Sequence, residues 1–351
     1  MERGDQGSRM NRVVGVVLSL CCLPAGLAQP AETTHARHVI IIGVDGLSID
    51  GVVKAHAPRI HDLMTRAAWT MEARGVMPTL SSPNWASMID GAGPEQHGIT
   101  SNGYLHPMVS LQPMCQDSEG MFPTMFKVMR TQKPASRIAV FHDWPGFADL
   151  LEKDVPDVLQ HEHGAARTTE AAVKYWAANR PDLMFVHLDN VDHTGHDSGW
   201  SSAAYYRAVD EADGYVGAIL DMLQNLSATD STFVLITSDH GGKGHNHGKN
   251  SLAEIQIPWI LAGPDVAPGR IAASVYTFDT AATVAWLLGF SPSECWIGRP
   301  VLAAFRPADL VTRTNSAERG CAPERPVITV PATGSAGPGA EDLLHHGQHN
   351  N

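Results

Sequence analysis

Acidic and imidazole side chains follow apolar runs of the sequence, at the points where the strands of a sheet would end. They are Asp45, Asp192, His196, Asp239 and His240. In parallel sheets the carboxyl ends of the strands share one edge, where ligands bind. Carboxylates and imidazoles are ligands of zinc and similar ions, and clustered carboxylates without cations would repel one another. Asp45 alone fits a turn and Asp192 alone fits a helix cap, but together the five residues predict a metal site.

A hydroxyl nucleophile for such a site is available in the segment 77–85. Thr79, Ser81 and Ser82 all precede a predicted helix that runs through Ala86 and Ile89. The amino end of a helix offers free backbone N–H groups and a favourable dipole to an anion. All three hydroxyls therefore qualify as nucleophiles, whereas a purely structural N-cap role fits Ser82 best.

The elements that must position these residues alternate between strand and helix. Short apolar, β-branched runs that predict strands lie at 38–44, 138–141, 183–188, 232–237 and 258–261. Amphipathic stretches that predict helices lie at 168–179, 203–223 and 279–288. This alternation is typical of a layered α/β domain with a mostly parallel central sheet and helices on both faces.

Composition limits the classes of partner. The chain has 351 residues, 43% of them hydrophobic, which is enough for one large domain. Its formal net charge of −12, with histidines neutral, and its lack of a basic run exclude binding to a nucleic-acid duplex through the phosphate backbone. A small anionic substrate would then need local cations, such as metal ions.

The two ends of the chain differ from the predicted domain at 38–306. Residues 1–28 have basic residues, an apolar run and small residues, the layout of a signal peptide, so we expect an exported protein that is periplasmic or secreted. The run is shorter than the ~20 residues of a spanning helix, so no stable membrane span is expected. Residues 307–351 are rich in Gly, Pro, Ala and Thr and predict a flexible tail. After signal cleavage three cysteines would remain, and we expect Cys295 to pair with Cys321 rather than Cys115.

Several motifs occur together in one order along the chain. They are Val-Asp-Gly at 44–46, Pro-Thr-Leu-Ser-Ser-Pro-Asn at 78–84, Gly-Ala-Gly-Pro-Glu-Gln-His-Gly-Ile-Thr-Ser-Asn at 91–102, Asp-His-Thr-Gly-His at 192–196 and Ser-Asp-His-Gly-Gly at 238–242. In this set and order, the chain from 38 to 305 resembles the type I phosphodiesterase/nucleotide pyrophosphatase branch of the alkaline phosphatase superfamily. The resemblance implies an alkaline-phosphatase-like fold and a hydrolase that acts on small phosphate esters with two divalent metal ions, expected to be zinc.

The resemblance also implies roles for individual residues. The nucleophile position falls on Ser81, where relatives of this branch usually have threonine, and Asn102 falls where the family contacts a phosphate oxygen. One ion would be held by Asp45, Ser81, Asp239 and His240. The other would be held by Asp192, His196 and His247, with His245 as the alternative third ligand. Attack by Ser81 implies a phosphoseryl intermediate, so Ser81→Ala should lower turnover by several orders of magnitude, whereas Thr79→Ala should be mild.

Other functions of the same fold remain as alternatives. A phosphomonoesterase would need a cationic clamp, and Lys243 is the basic residue nearest to any motif, although Arg74 or Arg137 could reach the site from elsewhere. A sulfatase would need arginine where Trp85 stands. A non-catalytic metal-binding protein would be favoured if a site residue were missing. The oligomeric state is left open.

Residues 103–165 are expected to face the substrate. Candidate contacts are Tyr104, His106 and the run Phe141-His142-Asp143-Trp144. Trp85 beside the nucleophile could stack on a base. Ordinary core packing is the alternative for each of these aromatic side chains.

Overall fold

A single eight-stranded sheet organises the part of the chain that the structure describes. The structure is a computed structural model that describes Met1 and residues 38–106 and 111–306. The strands are β1 (His38–Val44), β2 (Ala68–Arg74), β3 (Ile138–His142), β4 (Val158–His161), β5 (Leu183–Leu188), β6 (Thr232–Thr237), β7 (Gln256–Ala262) and β8 (Gly269–Arg270). Their order across the sheet is β4-β3-β5-β1-β6-β7-β2-β8.

Strand β1 lies at the centre of the sheet, because its continuous apolar sequence can be buried on both faces. It pairs in parallel with β5 on one side and with β6 on the other. Successive side chains point to opposite faces, so Val39 and Ile41 belong to one core cluster and Ile40 and Ile42 to the other. The predicted two-sided burial of the central strand is confirmed.

Helices cover both faces. The helices are α1 (Ile49–Lys54), α2 (Pro58–Met64), α3 (Ser81–Asp90), α4 (Pro94–His97), α5 (Met125–Gln132), α6 (Ala165–Asn179), α7 (Asn190–Ser198), α8 (Ala203–Asn225), α9 (Leu252–Ile255) and α10 (Asp279–Leu288). Buried residues of α3, α5 and α10 join the core cluster that contains Val39, whereas those of α1, α2, α6 and α8 join the cluster that contains Ile40. The α/β class with a mostly parallel sheet and helices on both faces is therefore confirmed.

The sheet also has features that the sequence patterns did not predict. Strand β7 runs antiparallel to both β6 and β2. The short strands β4 and β8 lie at the two edges, where few apolar residues are needed. The region 103–165, which we expected to face the substrate, contributes α5 and two strands, β3 and β4, to the framework itself.

The predicted disulfide is wrong. Cys115 is bonded to Cys295, which ties the segment before α5 to the segment after α10. The two cysteines are 180 positions apart in the sequence, a separation that gives no local sign of their proximity. Cys321, the predicted signal peptide at 1–28 and the predicted tail at 307–351 lie outside the described residues. None of the helices in the described part of the chain is long and apolar enough to cross a membrane.

Candidate metal centre and nucleophile

The site lies at the edge of the sheet where the parallel strands β5, β1 and β6 end. Asp45 comes directly after β1, and Asp239 and His240 come just after β6. Asp192 and His196 follow β5 on α7, spaced so that both lie on one side of the helix. Because these three strands are neighbours, residues far apart in sequence meet at one place.

The first donor group consists of Asp45, Asp239 and His240, all fully buried. The Nε2 atom of His240 lies 3.0 Å from Asp239 Oδ2 and 3.5 Å from Asp45 Oδ1. The Nδ1 atom of His240 lies 2.9 Å from the carbonyl oxygen of Gly241. A carbonyl can only accept, so Nδ1 carries the proton and the Nε2 lone pair faces the two carboxylate oxygens. Neither oxygen has a hydrogen-bond partner within the described part of the chain.

The second donor group consists of Asp192, His196 and His247. The Nε2 atom of His196 lies 3.3 Å from Asp192 Oδ2 and 3.1 Å from Nε2 of His247, which is 3.7 Å from Asp192 Oδ1. Nδ1 of His196 donates to the carbonyl of His245, and Nδ1 of His247 donates to the carbonyl of Thr79. The Nε2 atoms of both rings therefore converge beside the Asp192 carboxylate. His245 instead directs its Nδ1 atom to the carbonyl of His196.

These lone pairs and carboxylate oxygens fit cations. Asp192, His240 and His247 offer ligand atoms that all lie within 4.8 Å of one another, as do those of Asp45, Asp239 and His240. The rings of His240 and His247 stack with their centroids 3.7 Å apart and thereby join the two groups. Converging lone pairs in a buried place are unfavourable without a positive charge between them. Imidazole with carboxylate is the donor set of zinc and similar ions.

The pKa values of the site also indicate that it suits a cation. Burial, and then the charges of Asp45 and Asp192, raise the pKa of Asp239 well above its usual value. Burial opposes ionisation of Asp45 too, but hydrogen bonding to His187 and the charge of His240 hold its pKa below the usual value. The hydrogen bond to Asp192 raises the pKa of His196 to about 9, so without a bound cation its Nε2 atom carries a proton, which a metal ion would replace. The carboxyl groups of the site therefore cannot all be ionised without a compensating positive charge.

Ser81 begins helix α3 and lies against the first donor group. Its Oγ atom is 3.3 Å from Nε2 of His240, and the residue is 6% exposed. Leu80 is the N-cap and makes no side-chain cap, so the interpretation of Ser82 as the cap is wrong. The hydroxyl of Thr79 donates to the carbonyl of Lys249. Of the three hydroxyls considered from the sequence, the structure therefore brings that of Ser81 to the metal-ligand candidates.

Asn102 lies beside the start of the same helix. The backbone N–H of Ser82 donates to Asn102 Oδ1 over 2.9 Å. Since an oxygen must take this N–H, the orientation of the amide is settled, and the Nδ2 group remains to donate elsewhere. Asn102 is exposed, so its amide N–H groups are accessible to solvent beside the amino end of α3.

Two buried side chains hold Asp45 through hydrogen bonds that the sequence patterns did not predict. Nε1 of Trp85 donates to Asp45 Oδ2 over 2.9 Å, and Nε2 of His187 lies 3.2 Å from the same oxygen. One oxygen is thereby engaged, and Oδ1 is left facing His240. The signal for His187 was a polar residue inside the otherwise apolar β5. Of the two interpretations of Trp85, the structure supports core packing, because the residue is fully buried.

Asp189 is a further carboxylate that the sequence reasoning missed. Its oxygens lie within 4.8 Å of ligand atoms of Asp45 and Asp192. Burial, followed by the charges of Asp45, Asp192 and Asp143, raises the pKa of Asp189 to about 9. Its position directly after β5 was a usable signal, since Asp192 was identified from the same strand end.

The aromatic candidates for substrate contact are mostly structural. Phe141 and His142 are buried in β3. Asp143 accepts backbone N–H groups from Gly164 and Asp189. Trp144 and Tyr104 are half-buried and pack against the core, and His106 is half-buried.

Comparison with known proteins places the chain among its relatives. The sequence model of the type I phosphodiesterase / nucleotide pyrophosphatase family matches residues 39–255. Ectonucleotide pyrophosphatase/phosphodiesterase family member 1 of Mus musculus is 25% identical over 269 residues, which cover 72% of this chain and 30% of that protein. The chain thus spans less than a third of that relative.

Solved structures share the fold. Inactive murine ectonucleotide pyrophosphatase / phosphodiesterase 5 in complex with AMP superposes with a TM-score of 0.62 and 18% identity, covering 73% of this chain and 96% of that one. A 2-O GAG sulfatase superposes with a TM-score of 0.64 and 16% identity, covering 77% and 74%. At these identities the likeness shows the fold alone. The family match over residues 39–255 carries the assignment: the chain belongs to the type I phosphodiesterase / nucleotide pyrophosphatase family.

Proposed function

We propose that this protein is a metal-dependent hydrolase of small phosphodiesters or nucleotide pyrophosphates, with Ser81 as its nucleophile. One observation carries the proposal. The Nε2 atoms of His196, His240 and His247 converge beside buried carboxylates, because the Nδ1 atom of each ring is hydrogen-bonded to a backbone carbonyl, and Ser81 Oγ lies 3.3 Å from Nε2 of His240.

The ligands of two divalent ions follow from the donor groups. Asp45, Asp239, His240 and Ser81 would hold the first, and Asp192, His196 and His247 would hold the second. Zinc suits this mixture of imidazole and carboxylate. When bound, such ions lower the pKa of a hydroxyl and neutralise charge on phosphate oxygens. The proximity of the His247 ring to His196 and Asp192 supports His247 over His245 as the third ligand.

The chain's own groups orient the reaction. Ser81 Oγ attacks phosphorus, a bond to the serine oxygen forms and the bond to the leaving oxygen breaks, which gives a phosphoseryl intermediate that water then hydrolyses. The backbone N–H of Ser81, at the start of α3, and the Nδ2 group of Asn102 would bind a phosphate oxygen. Both are neutral donors.

Neutral donors favour a diester, which carries less negative charge than a monoester dianion. Arg137 precedes β3, and its Nη1 atom donates to the carbonyl of Asn179, so it lies towards the amino ends of the strands, away from the site. Lys243 is exposed in a turn closed by hydrogen bonds with Asn246. AMP in the related murine structure supports a nucleotide as one product class.

The central experiment compares Ser81→Ala with Ser82→Ala. Both changes remove one buried hydroxyl from the first turn of α3. Ser81→Ala should lower kcat by several orders of magnitude while retaining metal, whereas Ser82→Ala should stay within a few-fold of wild type. Chelation should abolish activity and zinc should restore it. Full activity in Ser81→Ala, or in protein shown by elemental analysis to be metal-free, would contradict the proposal.

The substrate class needs its own measurement. Catalytic efficiencies for bis(4-nitrophenyl) phosphate, 4-nitrophenyl phosphate and 4-nitrophenyl sulfate, measured at one pH and zinc concentration, should rank the diester first. A preference for the monoester would identify a phosphatase that uses the same site. A preference for the sulfate would identify a sulfatase. Export to the periplasm or medium, which we also propose, is tested by cell fractionation.

A further inference from the structure

Residues 243–250 form the loop that carries His247, and most of this loop is exposed. His247 is an exception, with a side chain that is 5% exposed. The loop contacts the rest of the protein on two sides. On one side, the carbonyl of Gly244 accepts the backbone N–H of Trp200, and the carbonyl of His245 accepts Nδ1 of His196. On the other side, its partners are Thr79 and Glu254, whose Oε1 atom accepts the backbone N–H of Lys249.

Thr79 makes three hydrogen bonds to this loop. Its carbonyl accepts Nδ1 of His247 over 2.7 Å. Its hydroxyl accepts the backbone N–H of Gly248 over 3.0 Å and donates to the carbonyl of Lys249 over 2.7 Å. Thr79 is fully buried, so these bonds are shielded from water. The orientation of the hydroxyl is fixed because it donates one hydrogen bond and accepts another. It thereby holds two consecutive residues of the loop, Gly248 through its N–H and Lys249 through its carbonyl.

We propose that Thr79 is a positioning residue that places His247 for the second metal ion and links that ion to the nucleophile segment. The inference rests on the proposed function, since it takes His247 to be a metal ligand. The carbonyl of Thr79 selects the tautomer that leaves the His247 Nε2 lone pair free, and the hydroxyl holds the residues that follow His247.

The segment that contains Thr79 is itself held rigidly. Asn84, fully buried in α3, accepts the backbone N–H of Val76 and donates through Nδ2 to the carbonyls of Pro78 and Leu80. Thr79 therefore lies between two residues that are anchored to the helix that begins with Ser81. One short segment sets both the position of the nucleophile and the position of a ligand of the second donor group.

We therefore expect that losing the Thr79 hydroxyl has a large effect, although the sequence alone predicted a mild one. Thr79→Val keeps the shape and the carbonyl but leaves the Gly248 N–H and the Lys249 carbonyl without their partner. Changes next to metal ligands commonly lower metal affinity by about 10- to 100-fold. We expect that loss for one of the two zinc ions, whereas the ion held by Asp45, Asp239 and His240 keeps its affinity.

Thr283 provides a matched control. It is buried in α10, and its hydroxyl likewise donates to a carbonyl, that of Asp279, and accepts a backbone N–H, that of Val301. Thr283→Val should therefore lower thermal stability in a similar way but bind both ions like wild type. Thr79→Ser retains the hydroxyl and should restore the affinity to within about three-fold of wild type.

The assay is a zinc titration of metal-free protein against a chromophoric chelator, which gives the number of ions and both dissociation constants. Equal zinc binding by Thr79→Val and Thr283→Val would overturn the inference and leave the proposed function intact. Absence of zinc binding by the wild type would overturn both. Should Thr79→Val fail to fold, amide exchange of wild type decides: the Gly248 N–H should exchange slowly despite its exposed loop, and rapid exchange would overturn the inference.

Discussion

Replacing Trp85 by phenylalanine should weaken the first metal site without touching a metal ligand. Trp85 donates from Nε1 to Asp45 Oδ2 over 2.9 Å, and both groups are fully buried. A hydrogen bond to a charged group contributes about 1.5–3 kcal/mol. At about 1.4 kcal/mol for each factor of ten, loss of this hydrogen bond corresponds to roughly 10- to 100-fold weaker binding of the metal ion. His187 still holds the same oxygen of Asp45 in the variant, so binding is weakened but not abolished.

Trp176→Phe is the matched control for this change. Trp176 is also fully buried, but its Nε1 atom has no hydrogen-bond partner among the described residues. Both variants exchange a buried indole for a phenyl ring and should lose packing to a similar degree. Only Trp85→Phe removes a donor from Asp45.

The assay is competition for zinc with a chelator, together with activity at limiting and at excess zinc. For Trp85→Phe we expect one weakened ion, low activity at limiting zinc and recovery with excess zinc. Trp176→Phe should behave like wild type in both measurements. Wild-type zinc affinity in Trp85→Phe, with the variant folded, would refute the reasoning that its indole N–H holds Asp45.

Three further predictions concern pH and backbone geometry. Burial lowers the pKa of His97 to about 3, so its contribution to stability is complete above the unfolded-state pKa near 6.5 and is lost as the pH falls from there towards 3. His97→Gln should therefore reduce the slope of the unfolding free energy against pH by up to about 1.4 kcal/mol per pH unit between pH 6 and 4. An unchanged slope in denaturant titrations would contradict this. The raised pKa of Asp189 gives the opposite dependence on pH, because in metal-free protein the contribution of its protonated form to stability is lost as the pH rises towards 9. Asp189→Asn should therefore unfold at a higher denaturant concentration than wild type at pH 9 but not at pH 4. Gly46 has a φ of +68°, and an added Cβ would lie 2.8 Å from the Asp192 backbone, so Gly46→Ala should lose zinc affinity and stability. The control is Gly214→Ala in α8, where the new Cβ has open space around it. This variant should bind zinc normally and be at least as stable as wild type.

The central strands were predictable because their burial leaves a direct mark on the sequence. The runs at 38–44, 183–188 and 232–237 match the bounds of β1, β5 and β6. Edge strands carry no such mark, because they are buried on fewer sides, and β4 and β8 were missed. The antiparallel direction of β7 was missed as well, since a strand's apolar run does not encode its direction.

Residue type and position after a strand were enough to identify Asp45, Asp192, His196, Asp239 and His240 as members of one cluster. The sequence by itself therefore determined the fold class and the residue types that meet at the candidate site. Only the tertiary structure decided which nitrogen of each histidine faces that cluster, because this depends on carbonyls from distant segments, such as that of Thr79 for His247. The same holds for Trp85 and His187 behind Asp45 and for the Cys115–Cys295 bond, since each contact joins segments whose proximity arises only when the sheet is assembled.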